Sequence, residues 1–207
     1  MLVVGASRGI GLGLVEAHLT DGWTVHATTR VGASPVDHPN LIAHQFDVRD
    51  RDQLAGLVDA LEPPLDRIIH NAGVMTAPRS EMMEVNSVAP IRTVGALLDA
   101  GLLRPGGVVA IMTSQRGARR GRSGSLGDYG DSKAALNDAF REHNEAWRNA
   151  GAIAVVIHPG WVKTDMGGAS APLTVAESVY GIKRLLDGVT PDDHGSFLTW
   201  DGRIHPW

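Results

Sequence analysis

A tyrosine and a lysine four residues apart form the pair in this sequence best suited to moving a proton. Tyr129 and Lys133 occur in YGDSK, within a helical pattern that places both side chains on one face. A neighbouring ammonium charge favours the phenolate and lowers the pKa of a tyrosine from about 10 toward neutrality. Such a phenol is a usable general acid or base. Since similar pairs also occur by coincidence on helix surfaces, the assignment depends on further polar residues.

Three other polar residues occur where the predicted sheet is expected to bind a ligand. Ser114 follows the predicted strand 108–113, and Asn71 follows the predicted strand 66–70. A hydroxyl at a strand end is suited to donating a hydrogen bond to a carbonyl oxygen, although it can also be a simple cap. Asn86 lies in MEVNSVAP, within an apolar helical pattern, where a buried amide must find partners and can bend the helix. Their joint occurrence predicts a catalytic site.

A glycine-rich turn near the start of the chain predicts a dinucleotide site. VVGASRGIGLG contains Gly5, Gly9 and Gly11 between an apolar run and a helical pattern, so backbone amides and a helix dipole can face a pyrophosphate. The second predicted strand ends in HATTR, with Arg30 where NAD binding would favour Asp or Glu. Arg8 adds a second guanidinium, so NADP(H) is favoured over NAD(H). A ligand-free turn with solvated arginines is the alternative.

The elements that position these residues alternate between strands and helices. The predicted strands are 2–4, 24–29, 41–46, 66–70, 108–113, 153–157 and 197–200, and the predicted helices are 9–20, 51–61, 81–100, 129–149 and 175–186. The alternation predicts the α/β class: a single Rossmann-type doubly wound parallel sheet of about seven strands, with helices on both faces and strands buried throughout. Without a repeat or linker, residues 1–207 are expected to form one NAD(P)-binding domain.

Composition narrows the class of partner. A formal net charge of −4 gives no overall attraction to nucleic acid or to an anionic membrane. The chain has no cysteine, and His70, His158 and His205 are scattered, so no metal site is predicted. No segment has the pattern of a signal peptide or a membrane span. We therefore predict a cytoplasmic protein with a small-molecule partner and with neither a nucleic-acid nor a membrane partner.

Five ordered motifs resemble those of the short-chain dehydrogenase/reductase family. GASRGIG is similar to the family's TGxxxGIG, with Val4 where Thr is usual, HNAG resembles NNAG, and HPGWVKT resembles PGxxxT. Asn86, Ser114 and the pair Tyr129 and Lys133 match the family's Asn, Ser and YxxxK. Segments 128–137 and 165–182 and the ending GSFLTWDGRIHPW resemble those of the C-factor-like and Sniffer-like carbonyl reductases. The resemblance implies NAD(P)-dependent interconversion of carbonyls and alcohols.

The resemblance also implies a role for each matching residue. Tyr129 would donate the proton in reduction and Ser114 would help bind the carbonyl. Lys133 would hold the nicotinamide ribose and lower the tyrosine pKa, and Asn86 would support a water that links Lys133 to solvent. With the two arginines included, the expected cofactor contacts are Gly5, Ser7, Arg8, Gly9, Ile10, Gly11, Arg30, Asp47, Val48, Asn71, Ala72, Gly73, Tyr129, Lys133, Pro159, Gly160, Val162 and Thr164.

Two features depart from the family pattern. The segment between Thr164 and Val175 is too short for a large substrate lid, so we expect an open pocket with weak discrimination. Candidate lining residues, each equally compatible with a core position, are Met75, Trp161 and Met166. The second feature is an arginine cluster formed by Arg116, Arg119, Arg120 and Arg122. It could steer an anionic carbonyl, with a solvated loop or a subunit contact as the alternative.

The function predicted from these residues is reduction of a ketone, aldehyde or quinone by NADPH, or the reverse oxidation. Two alternatives remain: a cofactor-binding signalling or regulatory protein of the same fold, and an acyl-carrier-linked 3-oxoacyl reductase. The complete Asn, Ser, Tyr and Lys set favours an enzyme. The helices predicted at 81–100 and 129–149 resemble those that relatives use for assembly, so a homodimer or homotetramer is expected.

Overall fold

The computed structural model describes residues 1–33, 36–62, 64–120 and 125–207. Its strands are β1 (Leu2–Val4), β2 (Val25–Thr29), β3 (Leu41–Gln45), β4 (Leu65–His70), β5 (Leu103–Met112), β6 (Ile153–His158) and β7 (Phe197–Thr199). Its α-helices are α1 (Gly9–Thr20), α2 (Arg51–Ala60), α3 (Arg79–Met83), α4 (Ala89–Asp99), α5 (Gly127–Asn149) and α6 (Val175–Gly188). A π-helical turn, Glu84–Val88, joins α3 to α4, and short 3₁₀ turns lie at Gln115–Gly117 and Pro191–Asp193.

The seven strands form one parallel sheet in the order β3-β2-β1-β4-β5-β6-β7. The chain moves outward in one direction from β1 to β3, and it then returns to place β4 on the other side of β1. Ligands of doubly wound sheets bind at such a switch point, outside the carboxyl ends of the strands. The predicted fold class is confirmed, and the switch point lies between the ends of β1 and β4.

Helices cover both faces of the sheet because alternate strand residues point to opposite sides. In β1, Leu2 and Val4 join one core layer, whereas Val3 joins the other. The first layer packs against α2, α4 and α5, and the second packs against α1 and α6. The expectation that every strand is buried fails at β3, where Ile42 is 43% exposed. β3 lies at the edge of the sheet, so one side of it meets solvent.

Two predicted elements differ in extent from the structure. β5 begins at Leu103 instead of residue 108, because Leu103 pairs with Leu65 of β4 before an irregular step in the register. The helix predicted over 81–100 is interrupted by the π-helical turn, in which the amide of Ala89 donates to the carbonyl of Glu84, five residues back. Pro90 follows at the start of α4 and has no N–H to complete the ordinary pattern.

Among the described residues, no helix is both long enough and apolar enough to cross a membrane.

Candidate active site

A groove of about 470 Å³ runs along the carboxyl ends of the central strands. The predicted residues that line it are Gly5, Ser7, Arg8, Gly9, Ile10, Arg30, Asp47, Val48, Asn71, Ala72, Gly73, Tyr129, Lys133, Pro159 and Thr164. A second depression, of about 840 Å³, lies at the opposite ends of the strands, around Trp23 and Asp66. That depression includes none of the predicted site residues, so the groove is the candidate active site.

The glycine turn between β1 and α1 is shaped by close backbone contacts. Gly5 has a φ of +83°, and a Cβ on it would lie 2.7 Å from the backbone of Ala72. A Cβ on Gly11 would lie 2.1 Å from the carbonyl oxygen of Gly5. The side-chain amide of Asn71 donates to that same carbonyl at 2.9 Å. Gly11 and Asn71 therefore hold the turn in place, which explains why Gly11 packs behind the groove and does not line it.

The first turn of α1 is suited to a phosphate. Its N-cap residue, Arg8, has an extended backbone and provides no side-chain hydrogen bond to the helix. The amides at the start of the helix therefore face the groove without a capping side chain, at the positive end of the helix dipole. Gly9, with a φ of +58°, leads directly into this turn. This arrangement fits the pyrophosphate of a dinucleotide.

The two arginines predicted to select NADP(H) have different surroundings. Arg8 forms an ion pair with Asp165 at 3.1 Å, and both side chains are 73% exposed. Arg30 lines the groove beyond the end of β2 and has no ion-pair partner among the described residues. Arg30 is therefore free to meet an anionic group, whereas Arg8 would exchange a weak surface ion pair for it.

Arg49 is a groove residue that the sequence reasoning missed. Its guanidinium donates to both carboxylate oxygens of Asp47, at 3.0 and 2.6 Å. This contact lowers the pKa of Asp47 to about 2. Arg49 also contacts Glu81 at 3.1 Å, so it links the loop after β3 to α3. An arginine two residues after the predicted adenine-binding carboxylate, in FDVRD, was the available signal.

Tyr129 and Ser114 meet at the rim of the groove. The side chain of Ser114 is close enough to the phenol of Tyr129 to affect its pKa. Oγ of Ser114 accepts the amide N–H of Arg116 at 3.1 Å. Burial raises the pKa of Tyr129 above its ordinary value, and the side chain of Ser114 and the charge of Arg116 oppose that rise. The hydroxyl and the phenol can therefore address the same carbonyl oxygen, with the phenol protonated.

Lys133 is enclosed next to this pair. Its side chain is only 4% exposed, and Nζ donates to the carbonyl of Met112 at 2.8 Å. Burial lowers the pKa of Lys133 to about 8. Lys133 is not among the groups that influence the pKa of Tyr129 in the structure, where burial raises that pKa and Ser114 and Arg116 oppose the rise. Both Lys133 and Tyr129 nevertheless line the groove.

Asn86 finds the partners that a buried amide requires. Its Nδ2 donates to the carbonyl of Val74 at 2.7 Å and to Oγ of Ser132 at 3.0 Å, and its Oδ1 accepts the amide of Val74 at 2.8 Å. A Cβ on Gly73 would lie 3.2 Å from this Oδ1 and 3.7 Å from Nζ of Lys133. The π-helical turn thus brings Asn86 to the lysine end of the site, although Asn86 does not line the groove itself.

The segment after β6 has a structural part and an exposed part. Val162 is buried and pairs with Leu173, so it holds the segment and does not line the groove. Gly160 has a φ of +89° and packs against Leu173, which makes it a turn residue. Of the candidate pocket residues, Met166 lines the groove, whereas Met75 and Trp161 do not. Trp161 is 52% exposed at the surface.

The arginine cluster does not act as one unit. Arg119 pairs with Asp138 of α5 at 2.9 Å. The backbone of Arg120 donates to the carbonyl of Trp207. The guanidinium carbon of Arg116 lies 5.6 Å from the centroid of the Tyr129 ring. Arg122 lies outside the described residues. Within the described part of the chain, no group of three or more His, Asp or Glu side chains could hold a metal ion.

A parallel sheet with a glycine turn at its switch point, a serine–tyrosine pair and a buried lysine defines an oxidoreductase of the Rossmann type. Residues 1–172 match the short chain dehydrogenase family, and the chain belongs to this family. It is 37% identical to C-signal of Myxococcus xanthus over 157 residues, which are 70% of this chain and 93% of that protein.

Two solved structures extend the likeness to the whole chain. The carbonyl reductase Sniffer of D. melanogaster superimposes with a TM-score of 0.89 at 29% identity, covering 100% of this chain and 98% of that one. A carbonyl reductase from Pseudomonas aeruginosa PAO1, in complex with NADP, superimposes with a TM-score of 0.81 at 34% identity, covering 100% and 98%.

Proposed function

We propose that this protein is an NADPH-dependent carbonyl reductase that interconverts a ketone, aldehyde or quinone and the corresponding alcohol. The observation that carries the proposal is the placement of Tyr129 next to Ser114, at the rim of a groove that Tyr129 lines together with Lys133. The likeness to carbonyl reductases, one of them in complex with NADP, supports the same reaction class. The proposal treats the chain as one catalytic domain.

NADP(H) fits the groove at three points. The backbone cradle at Gly5 and the uncapped start of α1 suit the pyrophosphate, and the free guanidinium of Arg30 suits a ribose phosphate. Arg8 would break its ion pair with Asp165 and contact the same ribose phosphate as Arg30. Asp47 and Val48 line the adenine end, and Pro159 and Thr164 line the end near Tyr129. When bound, the cofactor supplies the hydride for reduction.

The side chains of this chain supply orientation and the proton. Ser114 donates a hydrogen bond to the substrate carbonyl oxygen, which polarises the bond. Tyr129 would donate its phenolic proton to that oxygen. Lys133 would hold the ribose hydroxyls of the cofactor, and its charge would stabilise the phenolate left behind. Asn86 supports the water through which the proton is restored.

A raised pKa of Tyr129 in the free protein is compatible with this role. A phenol that stays protonated is the required acid for reduction, whereas the reverse oxidation needs the phenolate. Positive charges close to Tyr129 in the complex would lower its pKa toward the pH at which the enzyme works.

The proposal is tested with purified protein, NADPH or NADH and a panel of small carbonyls, by following the nicotinamide absorbance. Tyr129→Phe should lower kcat by at least about a thousandfold, because the proposed proton donor is lost. NADPH affinity, measured by fluorescence titration, should change little in that variant. Undiminished turnover by Tyr129→Phe, or tighter binding of NADH than of NADPH, would contradict the proposal.

The two alternative functions make different demands on the same assay. A regulatory protein would bind NADPH without turnover of any carbonyl, and an acyl-carrier reductase would reduce carrier-linked thioesters in preference to free carbonyls. The retention of Ser114, Tyr129 and Lys133 in bonded positions favours an enzyme, and the short segment after Thr164 favours small substrates. We further propose that the protein is cytoplasmic. We also propose that it forms a homodimer or homotetramer through α4 and α5, and light scattering would measure the mass of the assembly.

A further inference from the structure

Arg116 contacts both residues that are proposed to hold the substrate carbonyl. Its guanidinium carbon lies 5.6 Å from the centroid of the Tyr129 ring, within the range of a cation–π contact. Its backbone amide donates to Oγ of Ser114 at 3.1 Å. The 3₁₀ turn Gln115–Gly117 fixes this arrangement, since Ser114 is the N-cap of that turn. The charge of Arg116 is therefore held beside the reacting oxygen.

The Arg116 side chain is exposed and has no carboxylate partner among the described residues. Two other arginines in this region are paired with carboxylates. Arg119 pairs with Asp138 at 2.9 Å, and Arg79 pairs with Asp128 at 2.7 Å. The adjoining residues 121–124 have the sequence GRSG, which contains no acid. An arginine left free between paired neighbours is available to an anionic ligand.

Arg116 lies beside the groove and does not form part of its lining. Tyr129 lines the groove that fits the dinucleotide, whereas Arg116 does not. A substrate carbonyl must contact the phenol of Tyr129, so an anionic group on the same substrate can come within reach of the Arg116 guanidinium. The N–H edges of a guanidinium match the two oxygens of a carboxylate.

We propose that Arg116 is a specificity-determining residue that binds the carboxylate of a carbonyl substrate, so that the enzyme prefers keto acids over neutral ketones. The inference rests on the proposed carbonyl reductase function. In the reaction, hydride from NADPH adds to the carbonyl carbon and the carbonyl oxygen takes a proton from Tyr129. The products are the hydroxy acid and NADP⁺, and the carboxylate is unchanged.

The test compares a short keto acid with its methyl ester, using wild type, Arg116→Gln and Arg119→Gln. The wild type should show a kcat/KM for the acid at least about ten times that for the ester, because a charge-assisted bidentate contact is worth roughly one to two factors of ten. Arg116→Gln should lose about ten- to a hundredfold on the acid and no more than about threefold on the ester. Arg119→Gln is the matched control, since it removes the same charge from the same loop.

The acid-to-ester ratio separates recognition from a general effect on the phenol. The charge of Arg116 also opposes the raised pKa of Tyr129, so Arg116→Gln should shift the pH profile for both substrates equally. Equal losses on acid and ester, or an equal loss of preference in Arg119→Gln, would overturn the inference. A phosphate-bearing carbonyl reduced in preference to the keto acid would overturn the carboxylate assignment. Failure to reduce any carbonyl would instead overturn the proposed function.

Discussion

Gly117 lies where the loop that carries Ser114 meets the helix that carries Tyr129 and Lys133. A Cβ on Gly117 would lie 2.6 Å from the carbonyl carbon of Lys133 and 2.8 Å from the amide nitrogen of Ala134. Both atoms belong to the backbone of α5, so neither can move aside without shifting the helix. The missing side chain at this residue allows the loop of Ser114 to pack directly on α5, which carries Tyr129.

We expect Gly117→Ala to separate the serine loop from α5. Overpacking of this kind costs about 1–3 kcal/mol of unfolding free energy. Because a displacement of 1 Å in a catalytic group can cost on the order of a hundredfold in rate, kcat should fall by at least about tenfold. Urea unfolding and steady-state rates measure the two effects.

The control for this substitution is Gly56→Ala in α2. A Cβ on Gly56 would meet nothing within 4 Å. Alanine in an exposed helix interior should raise the unfolding free energy by about 0.5–1 kcal/mol and leave kcat unchanged. A Gly117→Ala protein with wild-type rates would show that the contact does not position Ser114.

At the residue scale, the chemistry could be predicted where a side chain's type and its position at an element end were enough. Examples are Ser114, at the end of β5, and the pair Tyr129 and Lys133 on α5. The contact of Arg49 with Glu81 and the packing of Gly117 could not be predicted, because each depends on atoms that the fold brings together. The pKa of Tyr129 is a third example, since spacing to Lys133 carries no information about burial.

At the element scale, the junction of α3 and α4 does more than connect two helices. The π-helical turn at Glu84–Val88 shifts the helix register by one residue and directs Asn86 inward to the backbone of Val74. A buried Asn inside an apolar helical pattern predicted that partners must exist. Periodicity shows which face of a helix is apolar, so it could not predict the π-helical turn. The turn depends on the missing N–H of Pro90 and on packing against α5.

We expect Asn86→Ala to destabilise the protein more than the loss of one hydrogen bond would. The substitution leaves both the amide and the carbonyl of Val74 without their partner, and each buried group left unpaired costs about 1–3 kcal/mol. Ser132→Ala is the comparison, since it removes Oγ of Ser132 and leaves the two bonds to Val74 intact. Chemical unfolding should show the larger loss for Asn86→Ala, and equal losses would contradict this account.

At the scale of the whole molecule, the sequence was most informative about the sheet. Alternating apolar runs and helical patterns predicted the seven strands because buried strands of a parallel sheet are rich in apolar residues. β3 departs from that rule because strand order, which local sequence does not encode, puts it at the edge. Segments between elements, such as the one from Ser114 to Tyr129, depend on tertiary contacts and were predicted only as a loop.

Four buried histidines make the stability of the whole molecule sensitive to mild acid. Burial lowers the pKa of His18, His26 and His158 to about 4 and that of His70 to about 3. Neither ring nitrogen of His70 has a partner among the described residues. In the unfolded chain a histidine has a pKa of about 6.5, so between about pH 6.5 and 4 the unfolded state binds more protons than the folded state does.

The unfolding free energy should therefore be highest above about pH 6.5 and should fall as the pH is lowered through this window, by roughly 1.4 kcal/mol per pH unit for each histidine. Urea unfolding at pH 7, 6 and 5 measures the slope. His70→Asn should reduce the slope of unfolding free energy against pH by the contribution of one histidine, because asparagine takes up no proton in either state. His143→Asn, a change at an exposed ring on α5, should leave the slope as it is. Unchanged stability between pH 7 and 5 would show that the four rings are protonated in the folded state, and hence that solvent reaches them.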